Sequence, residues 1–144
     1  MLGAENSFET IITVFNQLEE RNPIKIRGTV KPKKIVGFDT ETIEGKAVLI
    51  CSSDRRVLFP NSFEEIAQFL TQRKYNTTLN FFWNIDFDFF AVVKWLPHEL
   101  LELLYENKGL LYENYFIKWI PRKFFSITRV DKKRTSRFYD LWQF

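Results

Sequence analysis

Phe8, Ile11, Ile12, Phe15 and Leu18 recur three and four positions apart, the spacing that lines one face of an α-helix over residues 6–20. Asn6 with Glu9 offers a capping box ahead of it, and Asn22-Pro23 ends it. The period then changes. Lys34 to Thr42 reads as a strand, Glu44-Gly45-Lys46 as a turn, and Ala47 to Ser52 and Arg56 to Phe59 as two further strands of an antiparallel meander. Asn61-Ser62 precedes a helix with Phe63, Ile66, Phe69 and Leu70 on one face. Thr78 to Trp83 is an apolar, aromatic run of strand length, and a helix starting near Asp86 or Asp88 carries Phe89, Phe90, Val92, Val93 and Trp95 up to Pro97. Glu99 to Glu106 predicts a leucine-rich helix. Tyr115 to Trp119, Phe124 to Thr128 and Phe138 to Leu141 predict strands joined by basic turns.

This order predicts an α/β chain. Its mixed sheet has a three-strand antiparallel meander and then a strand reached by an α crossover, parallel to the first, with flanking helices and a C-terminal β-hairpin. With 144 residues, 45% hydrophobic and 17% aromatic, the chain can bury one core and is not a disordered segment. Residues 1–33 read as an N-terminal helix and basic lead-in, and 34–144 as the globular domain. No apolar run approaches a membrane span and the first residues lack a basic-then-apolar signal, so a cytoplasmic, intracellular protein with no membrane partner is expected. One Cys (Cys51) and one His (His98) exclude an internal disulfide and a Cys-rich zinc site, and leave a Cys-His dyad only if the two meet. Chemistry falls to the carboxylates.

Charge is segregated along the chain. Residues 1–20 hold four acids and no base, and residues 21–34 hold six bases and no acid. Residues 35–117 are net acidic, while residues 118–137 hold eight bases against Asp131 alone. Two basic blocks around an acidic middle suit a surface that grips a polyanion; they also suit a pair of solvated loops.

Because side chains alternate along a strand, Val36, Phe38 and Thr40 point to one face of the first core strand and Gly37, Asp39 and Glu41 to the other. Two adjacent carboxylates on an apolar strand repel each other, and a divalent cation with its preference for hard oxygen donors offsets that. The alternative is a strand end emerging into solvent. A second acidic group, Asn84-Ile85-Asp86-Phe87-Asp88, follows the Thr78–Trp83 strand at the C-terminal edge where open α/β sheets place ligands. If the two strands are parallel neighbours, Asn84 and Asp88 reach the same end of the sheet as Asp39 and Glu41. Helix capping is the competing account of Asn84 and Asp86.

Phe38-Asp39-Thr40-Glu41-Thr42 and Asn84-Ile85-Asp86-Phe87-Asp88, in this order, resemble the first two motifs of the 3′-5′ exonuclease domain of family-B DNA polymerases, a ribonuclease-H-like fold. Phe116 to Lys123, followed by Arg137-Phe138-Tyr139-Asp140, is similar to the basic hairpin and Tyr-Asp strand of that domain, especially in protein-primed viral and plasmid members. The resemblance spans about Lys34 to Phe144. It implies hydrolysis of single-stranded DNA ends with two Mg²⁺ or Mn²⁺ ions. Asp39 would bridge the metals, Glu41 would hold the first and Asp88 the second, while Asn84 would steady the 3′-terminal nucleotide. Lys118, Arg122, Lys123, Lys132, Lys133, Arg134 and Arg137 would follow the phosphates. Phe81, Phe82 or Trp83 would stack on bases or belong to the core.

The third motif of that domain, a Tyr-x-x-x-Asp on a later helix, has no counterpart before Phe144, so the chain is expected to be truncated ahead of it and weakly active. Asp140 matches the preceding strand and is expected to be structural. No Tyr-x-Asp-Thr-Asp motif of a polymerase is present. The alternative is a catalytically inactive module of the same fold that binds nucleic acid or a replication partner. A restriction-type pairing of Asp39 with Glu44-Gly45-Lys46 is disfavoured by the short separation across a turn.

Overall fold

Alternation is the first pattern the structure bears out. In the computed structural model, which describes residues 33–143, Val36, Phe38 and Thr40 are buried on one face of a strand and Asp39 and Glu41 are exposed on the other. The helix expected over 6–20 and most of the basic lead-in lie outside the described residues. The strands are β1 (Ile35–Ile43), β2 (Lys46–Ser52), β3 (Val57–Leu58), β4 (Leu79–Phe82), β5 (Gly109–Tyr112), β6 (Tyr115–Ile120), β7 (Phe124–Arg129) and β8 (Arg134–Asp140). The helices are α1 (Phe63–Leu70), α2 (Ile85–Val93) and α3 (His98–Asn107). One eight-stranded sheet runs in the order β3-β2-β1-β4-β8-β7-β6-β5. β1, β2 and β3 form the antiparallel meander, while β4 is parallel to β1 and β8 parallel to β4. The mixed α/β sheet is therefore observed, with the expected crossover through α1.

All three helices cover the face that carries Val36, Phe38, Phe82, Phe125, Ile127 and Phe138. Phe89 of α2 stacks on Trp119 at 5.0 Å and meets Phe125 at 5.2 Å, and Phe63 of α1 meets Tyr112 at 5.7 Å. Burying a Phe side chain completely contributes about 1.5–3 kcal/mol, so Phe82, Phe89, Phe125 and Phe138 dominate the core. The opposite face has a smaller cluster of Phe81 and Leu141 with Ile35, Leu79, Trp83 and Tyr139. None of the three described helices packs there.

Local chemistry sets the boundaries. Ser62 caps α1 by accepting the Glu65 N–H at 3.2 Å, and the Glu65 carboxylate reaches back to the Asn61 N–H. At the β1–β2 turn Glu44 and Gly45 both take positive φ, 52° and 77°, the twist that a two-residue hairpin requires. The ladder slips near Glu41: Glu41 pairs with Leu49 but Thr42 pairs with Ala47, so Val48 is an extra residue on β2. That bulge lets both Ala47 and Ile50, three positions apart, point into the core.

The expected C-terminal hairpin is present and belongs to a longer, four-stranded antiparallel run, because Gly109–Tyr112 also pairs with β6 as a strand that its short span beside a leucine-rich helix did not signal. One boundary is corrected. β8 begins at Arg134 rather than Phe138, its polar residues pairing with β7, and ends before Leu141. There the Asp140 carboxylate accepts the Trp142 N–H at 3.1 Å and turns the chain. No helix among the described residues is long and apolar enough to cross a membrane.

Candidate functional site

Parallel pairing of Ile35–Phe38 with Leu79–Phe82 brings the ends of β1 and β4 to one edge of the sheet. From Phe82 the chain passes through Trp83 and Asn84 into α2, whose first turn carries Asp88 back over β1. There the Thr40 hydroxyl donates to Asp88 Oδ1 at 2.7 Å. Asp39, the preceding β1 residue, stands on the other face with Glu41. The three carboxylates thus flank one strand end, two on its outer face and one buried above its inner face.

Among the described residues, no ion pair offsets the negative charge here. Asp88 is 4% exposed, and burial pushes its pKa up to about 7; the hydrogen bond from Thr40 opposes this and the charge of Asp39 adds to it. Asp39 is also raised, by partial burial first and by Glu41, against the Thr40 N–H. Cys51 lies opposite Asp39 in the β1–β2 ladder, and burial together with the charges of Asp39 and Glu41 pushes its thiol up. The ion pairs of the described residues, Lys74–Asp54, His98–Glu102 and Arg129–Asp131, involve none of these groups.

Carboxylate oxygens are the hard donors that Mg²⁺ and Mn²⁺ prefer, so the donor chemistry fits those ions. The arrangement is a pair and a separate third group: among the described residues no three of His, Cys, Asp and Glu stand close enough together to hold a metal ion. Asp88 is turned to Thr40 rather than toward the Asp39–Glu41 pair.

The other residues of the second acidic group divide. Asn84 occupies the N-cap position of α2, but its exposed side chain makes no capping hydrogen bond. Asp86 does not cap the helix either. Its carboxylate accepts the Trp119 indole N–H at 3.2 Å and the Arg122 N–H at 2.9 Å, pinning the β6–β7 turn, where Arg122 has a φ of 61°. Asp140 is 4% exposed and its pKa is raised by burial, while the N–H groups of Trp142 and Ile85 favour its charge. Asp140 at the end of β8 thus lies beside the start of α2, whose N-cap residue Asn84 makes no side-chain hydrogen bond there.

Of the aromatic candidates, Phe82 belongs to the main core and Phe81 to the outer-face cluster. Trp83 packs on Trp142 at 4.7 Å, and Trp142 is 55% exposed at the same edge as Asn84. Trp142 was not among the expected site residues, and only its place directly after the Tyr-Asp strand hinted at it. Cys51 and His98 form no dyad: His98 lies exposed at the start of α3 beside Glu102 at 3.7 Å. Lys46, of the restriction-type alternative, sits over the Trp95 ring at 3.7 Å.

The expected phosphate-following residues fall into three places. Arg122 and Lys123 are exposed at the β6–β7 turn, tied by Asp86 to the carboxylate edge. Lys118 and Arg137 are exposed on the sheet face that carries Asp39, in line across the ladder through Ser126. Lys132, Lys133 and Arg134 lie at the β7–β8 turn, the far end of β8 from Asp140. Comparison of the chain with protein-family models, with curated proteins and with solved structures found no match.

Proposed function

We propose that this chain is a metal-dependent nuclease domain of the 3′-5′ exonuclease kind acting on single-stranded DNA ends. The observation that carries the reading is the placement of the Asp39–Glu41 pair and a buried Asp88 on the two sides of one edge of two parallel strands, with none of the ion pairs among the described residues engaging them. Asp39 and Glu41 would hold a Mg²⁺ or Mn²⁺ ion, and Asp88 would bind a second. Bound there, divalent ions supply an activated water and stabilise the charge that grows on the phosphate. The chain's own groups would do the rest. The exposed Asn84 amide, which makes no capping hydrogen bond, would hold the terminal nucleotide, the exposed Trp142 would stack on its base, and Arg122 and Lys123 would draw the adjacent phosphates to the edge. A role in DNA replication, with a replication-protein partner and a viral or plasmid source, extends the same resemblance.

The absence of a three-ligand cluster among the described residues favours a second reading, an inactive module of this fold that binds nucleic acid or a replication partner. Digestion of a 5′-labelled single-stranded oligonucleotide with Mn²⁺ separates the two. The nuclease reading expects stepwise shortening from the 3′ end that is lost in Asp39→Ala and Asp88→Ala. Salt-sensitive binding of an intact oligonucleotide selects the second reading, and cleavage that survives both substitutions removes the proposed site.

A further inference from the structure

At the opposite edge of the sheet, Arg73, Asn76, Thr77, Lys132 and Arg134 line an open cavity of about 430 Å³. Its size is that of a small-ligand pocket, about 300–1,000 Å³. Three of the five residues are cations and none is an acid. The nearby Asp131 is engaged by Arg129 at 3.2 Å and Asp54 by Lys74, so neither neutralises the cavity. Two polar atoms there are buried with no hydrogen-bond partner, Arg134 Nε and Asn76 Oδ1. A buried guanidinium N–H without an acceptor is a rarity that calls for one. The Asn76 amide can adapt: its Nδ2 donates to Ser136 Oγ at 2.8 Å, and a serine hydroxyl accepts or donates equally well. Turned round, the amide keeps Ser136 and presents its NH₂ to the cavity.

We infer that this cavity binds a phosphate group. The Arg134 Nε–H would meet one oxygen, Arg73 and Lys132 would neutralise the charge, and the Asn76 amide would donate to a second oxygen. Asp140 lies six positions along β8 from Arg134, about 20 Å at the rise of a strand, so the cavity is separate from the carboxylate edge. The inference does not rest on the nuclease reading, because Asp39, Glu41 and Asp88 take no part in it. A phosphodiester of a strand lying across the sheet and the phosphate of a small ester both have this chemistry.

The test is NMR of the arginine Nε–Hε signals during titration with inorganic phosphate at constant ionic strength, without divalent ions so that nothing is hydrolysed. The signal that disappears in Arg134→Gln should shift saturably in the wild type. Arg134→Gln should weaken phosphate binding about tenfold, while Arg56→Gln, an exposed arginine on the β2–β3 turn, leaves it unchanged. Arg73→Gln, on the exposed rim, gives the same weakening and serves if Arg134→Gln lowers the melting temperature. A thymidine oligonucleotide without terminal phosphates identifies the source. An equal loss of its binding in Arg134→Gln assigns the site to a backbone phosphate, and a loss confined to inorganic phosphate assigns it to a small phosphate compound. Absence of a saturable shift, or equal effects of Arg134→Gln and Arg56→Gln on both probes, overturns the inference.

Discussion

Replacing Asp88 by asparagine keeps the side chain's size and the acceptor for the Thr40 hydroxyl while removing the charge. In the folded chain Asp88 holds its proton up to about pH 7, against an ordinary value of 3.8. Below pH 4 both folded and unfolded chains carry the proton, and the group has no pH-dependent effect on stability. Between pH 4 and 7 the unfolded chain releases it and the folded chain keeps it, so stability falls as pH rises. Above pH 7 the loss is complete, at about 4 kcal/mol for a shift of this size. Asp88→Asn is thus expected to equal the wild type near pH 4 and to exceed it by about 2–4 kcal/mol at pH 8, read by urea denaturation at each pH. Mn²⁺ at pH 8 should narrow the gap by stabilising the wild type more than the variant, which keeps only the Asp39–Glu41 pair. A gap that does not change with pH, or a variant less stable than the wild type throughout, would refute a buried ionised Asp88.

Three further outcomes follow from the packing. Asp86→Ala leaves the Trp119 indole and the Arg122 N–H without their acceptor, at a cost of about 1–3 kcal/mol, and should speed tryptic cleavage at Arg122 and Lys123; an unchanged cleavage rate contradicts the pinning. Phe125→Ala removes a ring stacked on Phe138 at 4.9 Å and should cost about 3–5 kcal/mol in thermal or urea unfolding. Gly45→Ala adds a Cβ at a φ of 77° and 3.1 Å from Lys94 Nζ, so it should destabilise by about 1 kcal/mol, where an unchanged urea midpoint would contradict the turn geometry.

Features governed by local period were legible before the structure. The two faces of β1 follow from alternation, and α1 follows from Ser62 and the spacing of its apolar residues. Parallel pairing of β1 with β4 followed from the intervening helix, and it carries Asp88 to the edge of Asp39. What sequence left open depends on partners distant in the chain. Asp86 stands in the most suggestive stretch, yet its partners Trp119 and Arg122 lie on a hairpin more than thirty residues later. The bulge at Val48 is set by the need of Ala47 and Ile50 to reach one core. The basic residues from Lys118 to Arg137 form one block in sequence, but the antiparallel run of β6 to β8 sends them to both ends of the sheet. Arg73, forty-five positions before that block begins, joins Lys132 and Arg134 only because its turn packs beside β8.

The central claim is that the edge formed by Asp39, Glu41 and Asp88 takes up divalent cations, and isothermal titration of the protein with Mn²⁺ at pH 7.5 to 8 tests it most directly. Saturable binding in the wild type that is abolished in Asp39→Ala, in a variant that still unfolds cooperatively, is the predicted result. An absence of binding heat in the wild type, or binding that persists unchanged in Asp39→Ala, would contradict it.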